Sequence, residues 1–294
     1  MNLGWIGTGI MGGSMAGHLL AAGHTLFIYS RSRGKAEPLL ARGARWCDDP
    51  AAVARQAEIV FSMVGFPADV EEVYLSPHGV LSAGGACRLV VDMTTSRPSL
   101  ARRIAEVAQA RGIAALDAPV SGGDVGARNA TLAIMVGGDE AAYARVLPLF
   151  QVMGKNIARL GGPGAGQHTK LCNQILIAGN MLGVCESLRY ARGAGLDMAA
   201  VIDIVGKGAA GSWSLNNLGP RIVKGDFAPG FYIEHFLKDL GIALEEADAM
   251  KLELPGLALA RELYEQTRAL GHGRAGTQAL FLAYGDKESK QAGG

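Results

Sequence analysis

Short apolar runs alternate with longer amphipathic stretches through the first half of the chain. Residues 58–64 and 131–138 are apolar over most of their length, as strands are when a parallel sheet is covered on both faces. The strand-like runs span residues 3–7, 25–30, 58–64, 87–93, 113–119 and 131–138. Helical stretches separate them, and this alternation predicts a doubly wound, mostly parallel α/β sheet.

The pattern changes at the glycine-rich segment 161–166, after which strand-like runs disappear. A long helical pattern follows, and shorter ones come after it. The helical segments span residues 167–192, 197–205, 235–250, 256–270 and 275–285. We therefore predict a sheet domain over residues 1–162 and an all-helical domain over residues 163–294, joined by the long helix. The apolar helical faces exceed what one monomer can cover, which favours a homodimer or homotetramer.

Composition narrows the class of protein. The 294 residues suit two domains, and a net charge of +1 gives no strong attraction to nucleic acid or to an anionic membrane. No apolar run is long enough for a membrane span, and the N-terminus has no cationic region typical of a signal peptide. The four cysteines lack metal-ligand spacing. We expect a cytoplasmic protein with reduced thiols and no bound metal.

The first strand leads directly into the motif G-x-G-x-x-G, formed by Gly7, Gly9 and Gly12 with Ile10 and Met11 before the last glycine. In this position, between a strand and a helix, the motif is typical of a Rossmann dinucleotide-binding domain. The first glycine permits a tight turn, the second lets the backbone approach a pyrophosphate, and the third allows close helix packing. An ordinary glycine-rich turn is the alternative.

The end of the second strand indicates which dinucleotide is bound. An NAD site normally has an acidic residue there to accept from the ribose 2′-OH, but no acidic residue precedes Glu37. Ser30, Arg31, Ser32 and Arg33 occupy the position instead, with Lys35 close behind, and a guanidinium can bind a 2′-phosphate. We predict NADP(H) as the preferred cofactor, with NAD(H) possible. A solvated basic loop is the alternative.

Two further strand ends are candidates for the nicotinamide part of the site. Thr95 follows the run 87–93, while Met63 and Val64 close the run 58–64. Ligands collect at the carboxyl ends of strands in such folds. On spacing alone, ordinary loop or core roles explain these residues equally well.

Candidates for the chemistry come from two other segments. Ser121, Gly122 and Gly123 offer a hydroxyl and open backbone N–H groups that could bind a carboxylate. Lys170 and Asn173 stand three positions apart in the long helix and so share one face. Close to a domain junction, such a lysine can act as a general acid or base. Taken singly, a turn without a ligand and a solvated lysine remain open interpretations.

Five segments in order change this picture: GWIGTGIMGGSMAGHLLAAGH, DMTTSRP, DAPVSGGDVGA, GAGQHTKLCNQ and FLKDLGIAL. Together they resemble the β-hydroxyacid dehydrogenases, which include 3-hydroxyisobutyrate dehydrogenase, tartronate semialdehyde reductase and glyoxylate/succinic semialdehyde reductases. The resemblance covers nearly the whole chain. It implies hydride exchange between a nicotinamide and a small 3-hydroxy acid or its semialdehyde.

The resemblance also implies roles for individual residues. The general acid/base would be Lys170, with Asn173 and the segment 121–123 holding the substrate carboxylate. The cofactor would be contacted by Thr95 and Lys238. The remaining site residues implied are Asp239, which would orient Lys238, and Phe231, which would line the pocket.

Two departures and three alternatives qualify this expectation. Gln174 stands where many family members have a second asparagine, and Trp213 places an indole that either narrows the pocket or packs in the core. An imine reductase shares the architecture, although Lys170 counts against it. The chain is short for an oxidative decarboxylase like 6-phosphogluconate dehydrogenase. The third alternative is a protein that binds NADP(H) as a sensor without turnover.

Overall fold

The structure is a computed structural model, and it describes residues 1–285. It divides into two compact units, Met1–Leu171 and a second that begins at Cys172. The division falls inside one long helix. The first unit is a sheet covered by helices, and the helical segments that follow make up the second. The predicted fold class is confirmed.

The sheet of the first unit contains nine strands within residues 1–171. They are β1 (Asn2–Ile6), β2 (Thr25–Tyr29), β3 (Arg45–Trp46), β4 (Ile59–Ser62), β5 (Leu89–Asp92), β6 (Ala114–Asp117), β7 (Val120–Ser121), β8 (Leu132–Gly138) and β9 (Gly154–Gly161). Their order is β3-β2-β1-β4-β5-β6-β8-β7, with β9 paired to β8. The first six are parallel, whereas β8 runs antiparallel to β6 and β7.

Seven helices of the first unit lie between these strands, within residues 1–171. They are α1 (Ile10–Ala21), α2 (Glu37–Leu40), α3 (Pro50–Gln56), α4 (Pro67–Leu75), α5 (Pro98–Gln109), α6 (Gly123–Arg128) and α7 (Glu140–Gln151). Two buried apolar clusters cover the two faces of the sheet, one around Trp5 and Phe61, the other around Val60 and Tyr74. Burial on both faces explains why the central strands are apolar throughout.

The helix α8 (Ala165–Gly193) begins in the first unit and continues into the second. The other helical elements of the second unit, within the described residues, are α9 (Met198–Val205), a π-helical segment (Ser214–Leu218), α10 (Gly219–Val223), α11 (Ile233–Ala249), α12 (Pro255–Thr267), a second π-helical segment (Arg268–His272) and a 3-10 segment (Thr277–Tyr284). No helix in the described part of the chain has both the length and the apolar character to cross a membrane.

All six predicted strands are present, with ends shifted by at most two residues. The prediction overlooked β9 because this strand pairs with β8 alone and carries exposed Lys155 and half-buried Arg159, so it lacks a continuous apolar run. It also overlooked the short strands β3 and β7 and the helical segments at 214–223. The predicted helix 167–192 is observed at residues 165–193.

Candidate active site

The carboxyl ends of the central strands form a continuous edge of the sheet. The backbone N–H of Met63 donates to the carbonyl oxygen of Ile6 at 2.9 Å, which fixes the end of β4 beside the end of β1. The N–H of Val64 donates to Oγ1 of Thr94 at 3.0 Å, which fixes β4 beside the loop after β5. Met63, Val64 and Thr95 therefore lie along the carboxyl-end edge of the sheet, the same edge at which the glycine-rich turn follows β1.

The glycine-rich turn is fixed by close backbone contacts. Gly7 has φ = +93°, and a Cβ at this position would collide with the carbonyl oxygen of Met63. A Cβ at Gly12 would collide with the carbonyl oxygen of Gly7. The buried indole of Trp5 donates from Nε1 to that same oxygen at 2.8 Å. The turn thus requires glycine at both positions, and Trp5 holds its carbonyl group.

The start of α1 fits a dinucleotide pyrophosphate. A Cβ built at Gly9 has no heavy atom within 4 Å, and within the described residues no side chain caps the helix, which begins at exposed Ile10 and half-buried Met11. The hydroxyl of Thr8 is buried and has no hydrogen-bond partner in the described residues. Open backbone N–H groups at a helix N-terminus bind phosphate.

The segment after β2 presents two exposed guanidinium groups, those of Arg31 and Arg33. The side chain of Arg31 is 83% exposed and pairs with Asp69 at 3.1 Å. Ser32 is exposed, whereas Ser30 is buried and its hydroxyl accepts from the N–H of Thr8 at 3.4 Å. An exposed ion pair contributes little stability, so a doubly charged phosphate could displace Asp69 from Arg31.

Asp117, at the end of β6, caps the start of α8. Its carboxylate accepts from the N–H of Gly164 at 2.7 Å and from the N–H of Gln167 at 2.8 Å. Burial raises the pKa of Asp117, and the two backbone donors partly offset this effect. The cap holds the first turn of α8, and Lys170 follows in the next turn with only 7% of its surface exposed.

The side chain of Gln167 joins the same turn of α8 to the loop after β5. Its Oε1 accepts from the N–H of Ser96 at 2.8 Å, and its Nε2 donates to the carbonyl oxygen of Thr94 at 2.7 Å. Gln167 is fully buried. The amide therefore holds the loop on both sides of Thr95 to the first turn of α8, and Lys170 lies in the next turn of the same helix.

A second buried acid, Asp92, also holds the loop after β5. Asp92 ends β5, accepts from the hydroxyl of Ser62 at 2.8 Å and from the N–H of Thr94 at 3.1 Å, and is the register partner of Asp117. The Ser62 hydroxyl also lies 2.8 Å from that of Tyr74. Burial raises the pKa of Asp92 to about 6, with a smaller contribution from the nearby Asp117.

The candidate carboxylate-binding turn follows β7, which continues the line of β6 along β8. Ser121 ends β7, where it is paired with Ala133 of β8. Gly122 and Gly123 both have positive φ, at +130° and +63°. Glycine adopts this conformation readily because it has no Cβ. Within residues 1–285, no group of three or more His, Cys, Asp or Glu residues is arranged to hold a metal ion.

Three of the candidate residues in the second unit meet through Gln174. Asn173 donates from Nδ2 to Oε1 of Gln174 at 2.7 Å, and Gln174 donates from Nε2 to Oδ2 of Asp239 at 2.5 Å. The other oxygen of Asp239 pairs with Nζ of Lys238 at 3.0 Å. The structure thus assembles Asn173, Lys238 and Asp239 around a residue whose contribution the sequence left in doubt.

The remaining predicted positions lie outside this chain of hydrogen bonds. Phe231 is half-buried and packs edge-on against Phe236, with 5.8 Å between ring centroids. Trp213 is 69% exposed within the described chain. The interpretation of Trp213 as a core residue is therefore wrong, and the pocket interpretation stays a prediction.

The sequence reasoning assigned no role to four buried polar residues that organise these groups: Asp92, Asp117, Gln167 and Gln174. The two acids had a readable signal, because each ends an otherwise apolar strand. Gln167 and Gln174 had none beyond their place in the helix, since each bonds to a segment more than 60 positions away.

Comparison with family models accounts for almost the whole chain. Residues 2–162 match the model described as the NAD binding domain of 6-phosphogluconate dehydrogenase. Residues 164–284 match the model described as NAD-binding of NADP-dependent 3-hydroxyisobutyrate dehydrogenase.

Individual relatives agree with this assignment. The chain is 51% identical over 282 residues to a probable 3-hydroxyisobutyrate dehydrogenase-like protein of Arabidopsis thaliana, covering 96% of this chain and 84% of the relative. It is 42% identical over 283 residues to 2-hydroxy-3-oxopropionate reductase of Escherichia coli, covering 96% and 97%. A solved structure of Mycobacterium tuberculosis 3-hydroxyisobutyrate dehydrogenase with L-serine superimposes with a TM-score of 0.89 at 29% identity, covering 97% and 99%.

Proposed function

The chain belongs to the NAD(P)-dependent β-hydroxyacid dehydrogenase family, of the 3-hydroxyisobutyrate dehydrogenase and tartronate semialdehyde reductase type, and we propose that it is an NADP(H)-preferring enzyme that interconverts a small 3-hydroxy acid and its semialdehyde. The observation that carries this proposal is the tie between the loop of Thr95 and the first turn of α8 through Gln167, which leads directly to buried Lys170.

Lys170 is proposed as the general acid/base. When bound, the nicotinamide supplies or accepts the hydride. In the direction of reduction, the ammonium group of Lys170 donates a proton to the alkoxide oxygen that develops at the former carbonyl. In the direction of oxidation, the neutral amine accepts the hydroxyl proton. Burial of Lys170 excludes water, so the proton passes to the substrate oxygen rather than to solvent.

A carboxylate clamp would fix the reacting carbon. Ser121, Gly122, Gly123 and Asn173 are the proposed contacts of the substrate carboxylate. Lys238, oriented by Asp239, would supply a positive charge for the cofactor and the substrate carboxylate. Phe231 would line the pocket. Held orientation of this kind accounts for much of the rate in two-substrate reactions.

The preference for NADP(H) rests on the segment after β2. Arg31 is exposed, is held only by a surface ion pair in the described chain, and occupies the place where NAD sites have an acid. The family model that matches residues 164–284 is itself described as NADP-dependent. The dimeric or tetrameric state and the cytoplasmic location stay predictions. Exposed Leu176 and Tyr190 on α8 support association of copies.

The function is tested by following reduced nicotinamide absorbance with a panel of aldehydes and 3-hydroxy acids. The panel contains tartronate semialdehyde, methylmalonate semialdehyde, succinic semialdehyde and glyoxylate, with 3-hydroxyisobutyrate, glycerate and serine for the reverse direction. We expect turnover of at least one pair, faster with NADPH than with NADH. Cofactor binding without any turnover would favour a sensor, and reduction of a cyclic imine but of no semialdehyde would favour an imine reductase.

A further inference from the structure

We infer that Gln174 is a positioning residue that transmits the orientation set by Asp239 to the side-chain amide of Asn173. The inference rests on the proposed function, because it takes Asn173 as a contact of the substrate carboxylate. It assigns a specific task to a buried side chain that joins Asn173 to Asp239. All the residues concerned lie in the second unit of the chain.

The hydrogen bonds form one continuous series. Nδ2 of Asn173 donates to Oε1 of Gln174 at 2.7 Å, and Nε2 of Gln174 donates to Oδ2 of Asp239 at 2.5 Å. Asp239 holds Lys238 with its other oxygen at 3.0 Å. Gln174 and Asp239 are each 1% exposed. Bulk water therefore does not replace these partners, and a broken bond would leave a buried polar group unsatisfied.

The charge of Asp239 determines the direction of the series. An ionised carboxylate only accepts hydrogen bonds, so the atom of Gln174 that faces it must be the nitrogen. The oxygen of the Gln174 amide must then face Asn173, and Asn173 must turn its own nitrogen toward that oxygen. An amide nitrogen and an amide oxygen differ little in shape but are opposite in hydrogen bonding. The series therefore decides which side of Asn173 donates.

The side chain of Gln174 has the length needed to reach Asp239 while it bonds to Asn173. An asparagine in its place would withdraw the amide by one methylene, about 1.5 Å. The contact with Oδ2 of Asp239, now 2.5 Å, would lengthen beyond hydrogen-bonding distance if the backbone stayed in place. A glutamate at position 239 would recover one methylene from the other side. The residues at positions 174 and 239 should consequently be interdependent.

A misoriented Asn173 would present the wrong atom to the substrate carboxylate. We therefore expect substrate binding to suffer more than the chemical step. In Gln174→Met, which keeps the length of the side chain but cannot form either bond, KM for the semialdehyde should rise about 10-fold, with a smaller fall in kcat. Gln266→Met is the matched control, because Gln266 is exposed on α12 and, within residues 1–285, its side chain hydrogen-bonds only to Glu262, at 3.4 Å.

A double-mutant cycle tests the matched length. Gln174→Asn and Asp239→Glu should each lower kcat/KM, and the double variant should be at least about 5-fold more active than the product of the two single effects predicts. Independent effects of the two substitutions, or an unchanged KM in Gln174→Met, would overturn the inference.

Binding measurements separate this inference from the proposed function. Calorimetric titration of 3-hydroxyisobutyrate and of glycerate into the NADPH-saturated protein gives an affinity without turnover, because cofactor and ligand are both in the reduced state. If the parent protein binds either acid but turns over none, the proposed function fails, and about 10-fold weaker binding to Gln174→Met would still support the positioning role. Equal affinity of parent and variant would refute that role even in an active enzyme. If the parent binds neither acid, the inference that Asn173 and Gln174 serve the binding of a 3-hydroxy acid is overturned.

Discussion

Gln167 donates a 2.7 Å hydrogen bond from Nε2 to the carbonyl oxygen of Thr94, across 73 positions of the chain. Its Oε1 accepts from the N–H of Ser96. A single primary amide thus pairs with a carbonyl and with an N–H two residues further on, as a neighbouring strand would. The side chain of Gln167 therefore pairs with the backbone of the loop after β5 in the way that a strand would.

Loss of this amide should slow the reaction more than it weakens cofactor binding. Gln167→Met fills the same space but leaves two buried backbone groups without partners, so the loop around Thr95 shifts. We expect kcat to fall about 10- to 100-fold and the dissociation constant of NADPH, measured by fluorescence titration, to change by less than about 3-fold. Exposed Gln109 supplies the control Gln109→Met. A parent-like kcat in Gln167→Met would show that the loop keeps its position unaided.

Removal of the Lys170 amine should abolish proton transfer without removing the cofactor site. Lys170→Met preserves the buried aliphatic volume, and we expect kcat to fall about 10²- to 10⁴-fold, with NADPH affinity nearly unchanged. Single-turnover measurement of NADPH oxidation would separate the chemical step from product release. Lys155→Met, at an exposed position of β9, is the control. Equal turnover of Lys170→Met and the parent would exclude Lys170 as general acid/base.

Arg31 should account for discrimination between the two dinucleotides. Without its guanidinium, the 2′-phosphate of NADPH loses a charge-assisted contact, whereas NADH has no such group. Arg31→Ala should therefore lower kcat/KM for NADPH about 10- to 100-fold and leave kcat/KM for NADH within about 2-fold. Arg111→Ala, at an exposed position, controls for the loss of surface charge. A parallel loss with both cofactors would contradict the assignment.

Asp92 should make the first unit less stable as the pH rises. Its folded-state pKa is about 6, raised from 3.8 chiefly by burial, so the folded protein retains a proton that the unfolded chain has lost. The destabilisation due to Asp92 is absent below pH 3.8, grows between pH 3.8 and about 6, and stays constant above that range. At pH 8 the penalty is about 3 kcal/mol at most.

Asparagine, which has the shape of aspartate but no charge, tests the direction of this pH dependence. Asp92→Asn should raise the free energy of unfolding at pH 8, measured with urea, and the gain should shrink toward pH 4.5. Glu106→Gln, on the exposed side of α5, should leave the pH dependence unchanged. A variant that is less stable than the parent at pH 8 would mean that the charged carboxylate is favoured where it lies.

The sequence predicted those features that local periodicity and motif position encode. Strands buried on both faces, the helix 165–193 and the glycine-rich turn all have such signals. The edge strand β9 does not, because only one neighbour pairs with it. The partners of Gln167 and Gln174 are distant in sequence, so no spacing rule relates them to Thr94 or Asp239. Long-range polar contacts of this kind become visible only once the chain is folded.

The cap at Asp117 has a consequence for dissecting the protein. A fragment that stops at residue 162 would contain every strand of the sheet, yet its buried carboxylate would lack both N–H donors, which come from Gly164 and Gln167. A buried carboxylate without hydrogen-bond donors raises the free energy of the folded state. A stable fragment of the N-terminal half must therefore include the first turns of α8. A fragment truncated at the end of the sheet should be insoluble or partly unfolded.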